Sequence, residues 1–210
     1  MEKIQVEIAN LLLQINAIKI QPSNPFAWAS GWKAPIYCDN RKILSYPQAR
    51  SFICDKFAEV IRRKYPDVEV IAGVATGAIA HGVLVADVLG LPFVYVRATP
   101  KGHGLENLIE GDMRPGQKVV VVEDLVSTGS SSLKAAQAIT NYGGNVLGMV
   151  AIFNYGFPQA AKNFADAGLE LTTLSQYDVL VKNAVETGEI KESDLQKLMQ
   201  WREDPANWGK

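Results

Sequence analysis

Val119-Val120-Val121-Val122-Glu123-Asp124-Leu125-Val126-Ser127-Thr128-Gly129-Ser130-Ser131-Ser132 is the stretch that decides how this 210-residue chain folds. Four consecutive valines predict a strand buried on both faces, the habit of a parallel sheet. The strand runs into two carboxylates, Glu123 and Asp124, then Leu125-Val126, a hydroxyl-rich loop and a helix over 133–142 stopped by Gly143-Gly144. In open α/β sheets, ligands sit beyond the carboxyl ends of strands, so the position of the loop is informative. Gly129 lacks a Cβ and lets backbone N–H groups approach a ligand closely. The hydroxyls of Ser127–Ser132 and the first free N–H groups of the helix form a cup of donors at the positive end of the helix dipole. A phosphate monoester suits that cup. The adjacent carboxylates are poor phosphate neighbours but good acceptors for a vicinal diol, so the whole describes a ribose 5-phosphate site. A simple helix cap accounts for one hydroxyl, not for five in six positions behind two acids. A P-loop does not fit, because no Gly-Lys-Ser/Thr follows at the required spacing.

Outward from this segment, strands alternate with helices. Strands are expected over 68–72, 91–96, 118–122, 146–153 and 169–174, with helices between them, including 158–167. Ile4, Ile8, Leu11, Leu12 and Ile15 recur at helical spacing at the start of the chain. A second helix is expected to open at Ser45 as N-cap, with Pro47 in its first turn. Between them, Pro22–Asn40 is rich in proline, glycine and aromatics and reads as a loop or short antiparallel hood. Two short helices, around 176–185 and 193–201, close the chain. With no internal repeat and no linker, the expectation is a single domain over 1–210: a hood to about residue 45, a core to about 175, then C-terminal helices.

Composition sets the bounds. Apolar residues make up 48% of the chain and charged residues 20%, enough to bury a sizeable core. A net charge of -1 argues against a broad nucleic-acid surface. Cys38 and Cys54 lack metal-ligand spacing and read as reduced thiols. The apolar start is interrupted by Gln5, Glu7, Asn10, Gln14 and Asn16, and no stretch reaches membrane-spanning length. A soluble cytoplasmic protein that binds neither nucleic acid nor membrane is expected.

Three further segments bear on chemistry. Arg97-Ala98-Thr99-Pro100-Lys101-Gly102-His103-Gly104 leaves a strand and enters a polar stretch to about Gly116, long for an α/β connection and typical of lids. Lys101 and His103 can swing onto a bound anion there, with Arg97 as a fixed cation; a solvated loop fits equally well. Phe26-Ala27-Trp28-Ala29-Ser30-Gly31-Trp32-Lys33-Ala34-Pro35-Ile36-Tyr37-Cys38-Asp39 suits either a lid over a planar base or an aromatic mini-core. Gly73-Val74-Ala75-Thr76-Gly77-Ala78 can offer backbone N–H groups to a pyrophosphate, or be a tight strand–helix turn.

Val119–Ser132 resembles the phosphoribosyl pyrophosphate (PRPP) motif of type I phosphoribosyltransferases. The resemblance implies that family's α/β fold, an open, mostly parallel sheet flanked by helices with a small N-terminal hood. It places Glu123 and Asp124 on the ribose hydroxyls, and Ser127, Thr128, Gly129, Ser130 and Ser131 around the 5-phosphate, with Leu125 and Val126 in the same PRPP-binding run. Arg97–Gly104 is similar to the catalytic loop of orotate phosphoribosyltransferases. That similarity implies roles in catalysis and PRPP binding for Arg97, Lys101 and His103, with Asp124 beside them, and a loop reaching the neighbouring subunit's site in a homodimer. A further lysine usual in that loop is absent, Ala98 and Thr99 standing near its place. The hood resembles the same family's Ser-Gly-x-Lys-x-Pro-x-Tyr pattern, with orotate contacts expected from Lys33, Tyr37 and Ser127. Lysines that some members carry are replaced by Ala29 and Thr76, and an arginine near Phe153-Asn154-Tyr155 is missing. The implied reaction joins orotate to PRPP, giving orotidine 5-phosphate and pyrophosphate in pyrimidine synthesis. Mg2+ is the implied cofactor, bridging substrate oxygens without dedicated protein ligands. A different acceptor base, or a PRPP-sensing regulator without chemistry, are the alternatives.

Overall fold

The computed structural model describes residues 2–28, 30–99 and 108–209. Helix α1 (Glu2–Gln14) is amphipathic, and it buries Ile8, Ala9 and Leu12 completely against the last strand and helix of the core. Two polar contacts fix it there: Ser175 Oγ donates to the Gln5 carbonyl at 2.9 Å, and Asn183 Nδ2 to Asn10 Oδ1 at 2.6 Å. The hood follows as two small antiparallel ribbons. Strand β1 (Ile18–Ile20) pairs with β4 (Ile36–Cys38), and β2 (Phe26–Ala27) with β3 (Lys33–Ala34). Residues Asn40–Ser45 then wind into a 3-10 helix, and α2 (Pro47–Lys64) begins after them with Tyr46, not Ser45, in the N-cap position and Pro47 inside the first turn. Ser45 is taken up by the preceding turn, which the local sequence does not announce.

The core is a six-stranded sheet built from β5 (Val70–Val74), β6 (Phe93–Val96), β7 (Ile109–Glu110), β8 (Lys118–Val126), β9 (Asn145–Asn154) and β10 (Leu171–Gln176). Its order is β10-β9-β8-β5-β6-β7; all neighbours are parallel except β7, which lies antiparallel to β6 at the edge. Helix α3 (Ile79–Leu89) joins β5 to β6, while α4 (Ser130–Asn141) joins β8 to β9 and α5 (Pro158–Asp166) joins β9 to β10. From the β5–β8 pair, the connections therefore run in opposite directions. With right-handed crossovers, this puts α3 and α4 on opposite faces and opens a crevice at the strands' carboxyl ends. Val119 to Val122 are fully buried, as four β-branched side chains in a central strand require. Strand β8 continues past the expected end at Val122. Pairing of Glu123 with Ala151, Leu125 with Phe153 and Val126 with Asn154 carries the ladder through the acidic pair.

After the sheet come α6 (Tyr177–Glu186), a 3-10 turn at Glu192–Asp194 and α7 (Leu195–Glu203). Trp201 of α7 is fully buried and stands edge-on to Trp28 and Phe157, with ring centroids 5.5 and 5.2 Å away. Its Nε1 donates to the Lys33 carbonyl at 3.2 Å, so the C-terminal helix fastens the hood. Trp201→Phe is expected to lower unfolding stability by about 1–2 kcal/mol, through the orphaned carbonyl and the partly filled site, as read by chemical denaturation. No helix among the described residues is long and apolar enough to cross a membrane.

Candidate functional site

At the switch between β5 and β8, the two strand ends face each other across a crevice of about 360 Å³ lined by Val74–Gly77 and Glu123–Leu125, with Asp39 and Arg41 from the hood side. The two acids of β8 play different parts. Glu123 is buried; its Oε1 accepts the Asp124 N–H at 2.9 Å, and its Oε2 accepts the Ser132 hydroxyl at 2.7 Å. Burial, and next the charge of Asp124, push the Glu123 carboxyl well above the usual range, with Ser132 acting the other way. Asp124 is the better-presented acceptor. Its carboxylate lies over Gly77, where a Cβ would come within 2.3 Å of Oδ2. Its backbone carbonyl accepts from Asn40 Nδ2 at 2.6 Å, an anchor from the buried first residue of the 3-10 helix. A half-buried carboxylate backed in this way is suited to accept two hydroxyls of a furanose ring.

The hydroxyl-rich loop turns at Gly129, whose φ of 79° is left-handed, and α4 starts at Ser130. A Cβ at Gly129 would also meet Phe164 Cε2 of α5 at 2.7 Å. From the same helix, Asn163 Nδ2 donates to the Thr128 carbonyl at 2.9 Å. Helix α5 thus braces the loop from behind, leaving Thr128, Ser130 and Ser131 on the accessible side. Thr128 and Ser130 hydroxyls lie 3.2 Å apart. Ser132 leaves the donor cup, because one helical turn points its hydroxyl back to Glu123. Gly129→Ala combines a disfavoured φ with an aromatic overlap. A loss of about 1–3 kcal/mol in denaturant unfolding is expected, with weaker PRPP binding in the same variant.

Beneath the hood is a cavity of about 690 Å³ walled by Trp28, Trp32, Tyr37, Leu125 and Tyr155, with Ser30, Ser127 and Thr128 as polar points. Trp28 and Trp32 are near-parallel at 6.4 Å, and Tyr155 stacks on Phe157 at 5.4 Å. Burial raises the pKa of both Cys38, at the cavity edge, and Tyr155, so these walls are uncharged. The aromatics therefore act both as a small core, through Trp201, and as an open slot for a flat ring. Tyr37 and Ser127 reach this slot. Lys33 is directed elsewhere, its Nζ donating to the Gly209 carbonyl at 3.0 Å.

On the other side of the loop, Arg97, Leu108, Thr128, Ser130, Ser131 and Lys134 are among the residues lining a third cavity of about 620 Å³. Arg97 stands just past β6; its N–H donates to the Leu108 carbonyl and its Nη1 pairs with Glu110 at 3.3 Å. Lys101 and His103, the expected mobile cations, lie outside the described residues, as does Ala29. His81 of α3 is buried, and burial lowers its pKa. Among the described residues, no group of three or more His, Cys, Asp or Glu is placed to hold a metal ion. The local sequence gives no mark to Asn40, Asn163 and Lys134. Each belongs to the site only through contacts made by residues distant along the chain.

Comparison with known proteins gives a consistent placement. Residues 42–172 match the family described as phosphoribosyl transferase domain. An orotate phosphoribosyltransferase of Porphyromonas gingivalis is 61% identical over 202 residues, covering 96% of each chain. One from Enterococcus faecalis is 50% identical over 210 residues, the whole of both chains. Among solved structures, the orotate phosphoribosyltransferase of Aeropyrum pernix superimposes with a TM-score of 0.76 at 27% identity, covering 87% of this chain and 99% of that one. The Mycobacterium tuberculosis enzyme, solved in complex with PRPP, gives 0.66 at 26% identity, covering 84% and 98%. Identity at this level, sustained from end to end, places the fold and its base-facing hood together: this chain belongs to the orotate phosphoribosyltransferases of the phosphoribosyl transferase family.

Proposed function

We infer that the chain transfers the 5-phosphoribosyl group of PRPP to orotate, giving orotidine 5-phosphate and pyrophosphate. The observation that carries this is the meeting of three sites on one short run. Leu125 borders both the acidic crevice and the aromatic slot, and Thr128 borders both the slot and the cavity beside Arg97. A base in the slot, a ribose against Asp124 and a phosphate on Thr128–Ser131 are then three parts of one nucleotide. In the forward reaction the orotate nitrogen bonds to C1 as the C1–O bond to pyrophosphate breaks; the electron pair leaves with the pyrophosphate, and the proton of the ring nitrogen passes to the departing pyrophosphate or to solvent. The protein's work is positioning and stabilisation of the departing charge. Asp124 holds the diol, the Gly129 loop holds the 5-phosphate, and Ser30, Ser127 and Thr128 offer hydroxyls to the orotate carboxylate in place of an arginine. We assign no general base.

Mg2+ fits this site as a companion of the substrate. Such an ion keeps most of its oxygens from phosphate, sugar and water, and asks for one or two carboxylates at most; Asp124 is placed to provide one. When bound, it screens the charge of the pyrophosphate. Arg97, Lys101 and His103 are proposed to act on the same leaving group, with the 101–103 segment donated across a homodimer. The setting proposed is the cytoplasm. The test incubates purified protein with PRPP, Mg2+ and either orotate, uracil, hypoxanthine or adenine, and follows pyrophosphate release. Release is expected with orotate alone. Release with a purine instead would move the assignment to another base, and PRPP binding without any release would replace the enzyme by a PRPP sensor.

A further inference from the structure

We propose that Arg41 grips the pyrophosphate end of PRPP and of the released product. This assignment rests on the phosphoribosyl transfer inferred above. The crevice between β5 and β8 carries Asp39, Glu123 and Asp124, and among the described residues lining it Arg41 is the single cation. Thr76 and Gly77, on the opposite lip, bring no charge. A pyrophosphate entering beside the carboxylates of Asp39 and Asp124 would be repelled unless a cation met it, since unit charges a few ångströms apart interact strongly in a partly desolvated cleft. Mg2+ carried by the substrate offsets part of that repulsion, and Arg41 faces the remainder.

The geometry favours arginine in this place. Its Nε donates to Asp39 Oδ1 at 2.7 Å, which fixes the plane of the guanidinium. Among the described residues neither terminal nitrogen of Arg41 forms a bond, so both are available for the two-pronged contact that guanidinium makes with phosphate. The preceding residue, Asn40, is anchored to the Asp124 carbonyl, so the fork starts one residue from a fixed point on the ribose-binding strand. The side chain is 62% exposed, in keeping with a group that meets its ligand at the mouth of the crevice and not with one that holds up the fold. Arg97 and Lys134 line the separate cavity beyond Ser131.

Product chemistry supplies the test, because orotidine 5-phosphate fills the base, ribose and 5-phosphate sites yet has no pyrophosphate. Wild type, Arg41→Ala, Arg41→Gln and Arg41→Lys are assayed forward with PRPP and orotate, and in reverse with orotidine 5-phosphate and pyrophosphate. Orotidine 5-phosphate binding is measured separately by calorimetry. Arg41→Ala and Arg41→Gln are expected to raise KM for PRPP and for pyrophosphate about tenfold to a hundredfold, the range for one charge-assisted hydrogen-bonding group, while Kd for orotidine 5-phosphate stays within about twofold. Arg41→Lys is expected to recover part of the loss. Unchanged PRPP and pyrophosphate constants, or an equal weakening of orotidine 5-phosphate, overturns the assignment. Failure of the wild type itself to turn over orotate strikes the functional reading instead.

Discussion

Gly77→Ala is expected to leave the protein folded and to lower kcat/KM for PRPP about a hundredfold or more, the scale of loss when a positioning group moves by an ångström. An added Cβ would lie 2.3 to 2.6 Å from the three carboxylate atoms of Asp124. Those atoms are the free end of a flexible side chain, so the carboxylate rotates away before the backbone yields. Gly77 carries no left-handed φ that alanine would strain. The thermal unfolding midpoint should therefore stay near that of the wild type while the carboxylate proposed to hold the ribose is lost from its place. The decisive comparison is with Asp124→Ala: if Gly77 acts through Asp124, combining the two changes adds little to either alone. A fully active Gly77→Ala enzyme, or one that fails to fold, contradicts this account.

Lys101→Ala is expected to reduce kcat by roughly a thousandfold, with a much smaller rise in KM for PRPP. A lysine about 4 Å from the departing oxygen contributes ~4 kcal/mol at an effective dielectric near 20, before desolvation is subtracted. If realised only as the C1–O bond breaks, that energy appears in kcat and not in ground-state binding. Wild-type turnover by this variant removes Lys101 from the mechanism. Mixing Lys101→Ala subunits with Asp124→Asn subunits then tests the proposed exchange of loops. A shared site predicts that the hybrid regains one working centre, whereas self-contained sites predict no recovery.

What the sequence revealed and what it concealed divide along contact range. The valine strand, its acids, Gly129 and the helix after it were readable because burial, turn and capping are all decided within fourteen neighbouring residues. The start of α5 at Pro158 was readable for the same reason. The extension of β8 to Val126 was not, since only pairing with β9 carries it through two acids. Nor was β7, two residues held at the edge by β6 inside a polar stretch. Asn40 reaches a carbonyl 84 positions away, and Asn163 one 35 positions away, without any local pattern to mark them. The direction taken by Ser132 depends on the phase of a helix whose first residue lies three earlier than expected.

The hood ribbons pair β1 with β4 and β2 with β3, and none of these strands joins the six-stranded sheet. This arrangement separates two evolutionary problems. Substitutions that reshape the aromatic slot can accumulate in a cassette of about twenty residues without shifting the register of any core strand, because no ladder hydrogen bond crosses between them. The sugar-phosphate half, by contrast, is written into β8 and its neighbours, where one slip would turn every side chain to the other face. A scaffold divided in this way can exchange the base it reads while conserving the donor it consumes, and grafting hoods between relatives of different base preference is the laboratory form of the same experiment.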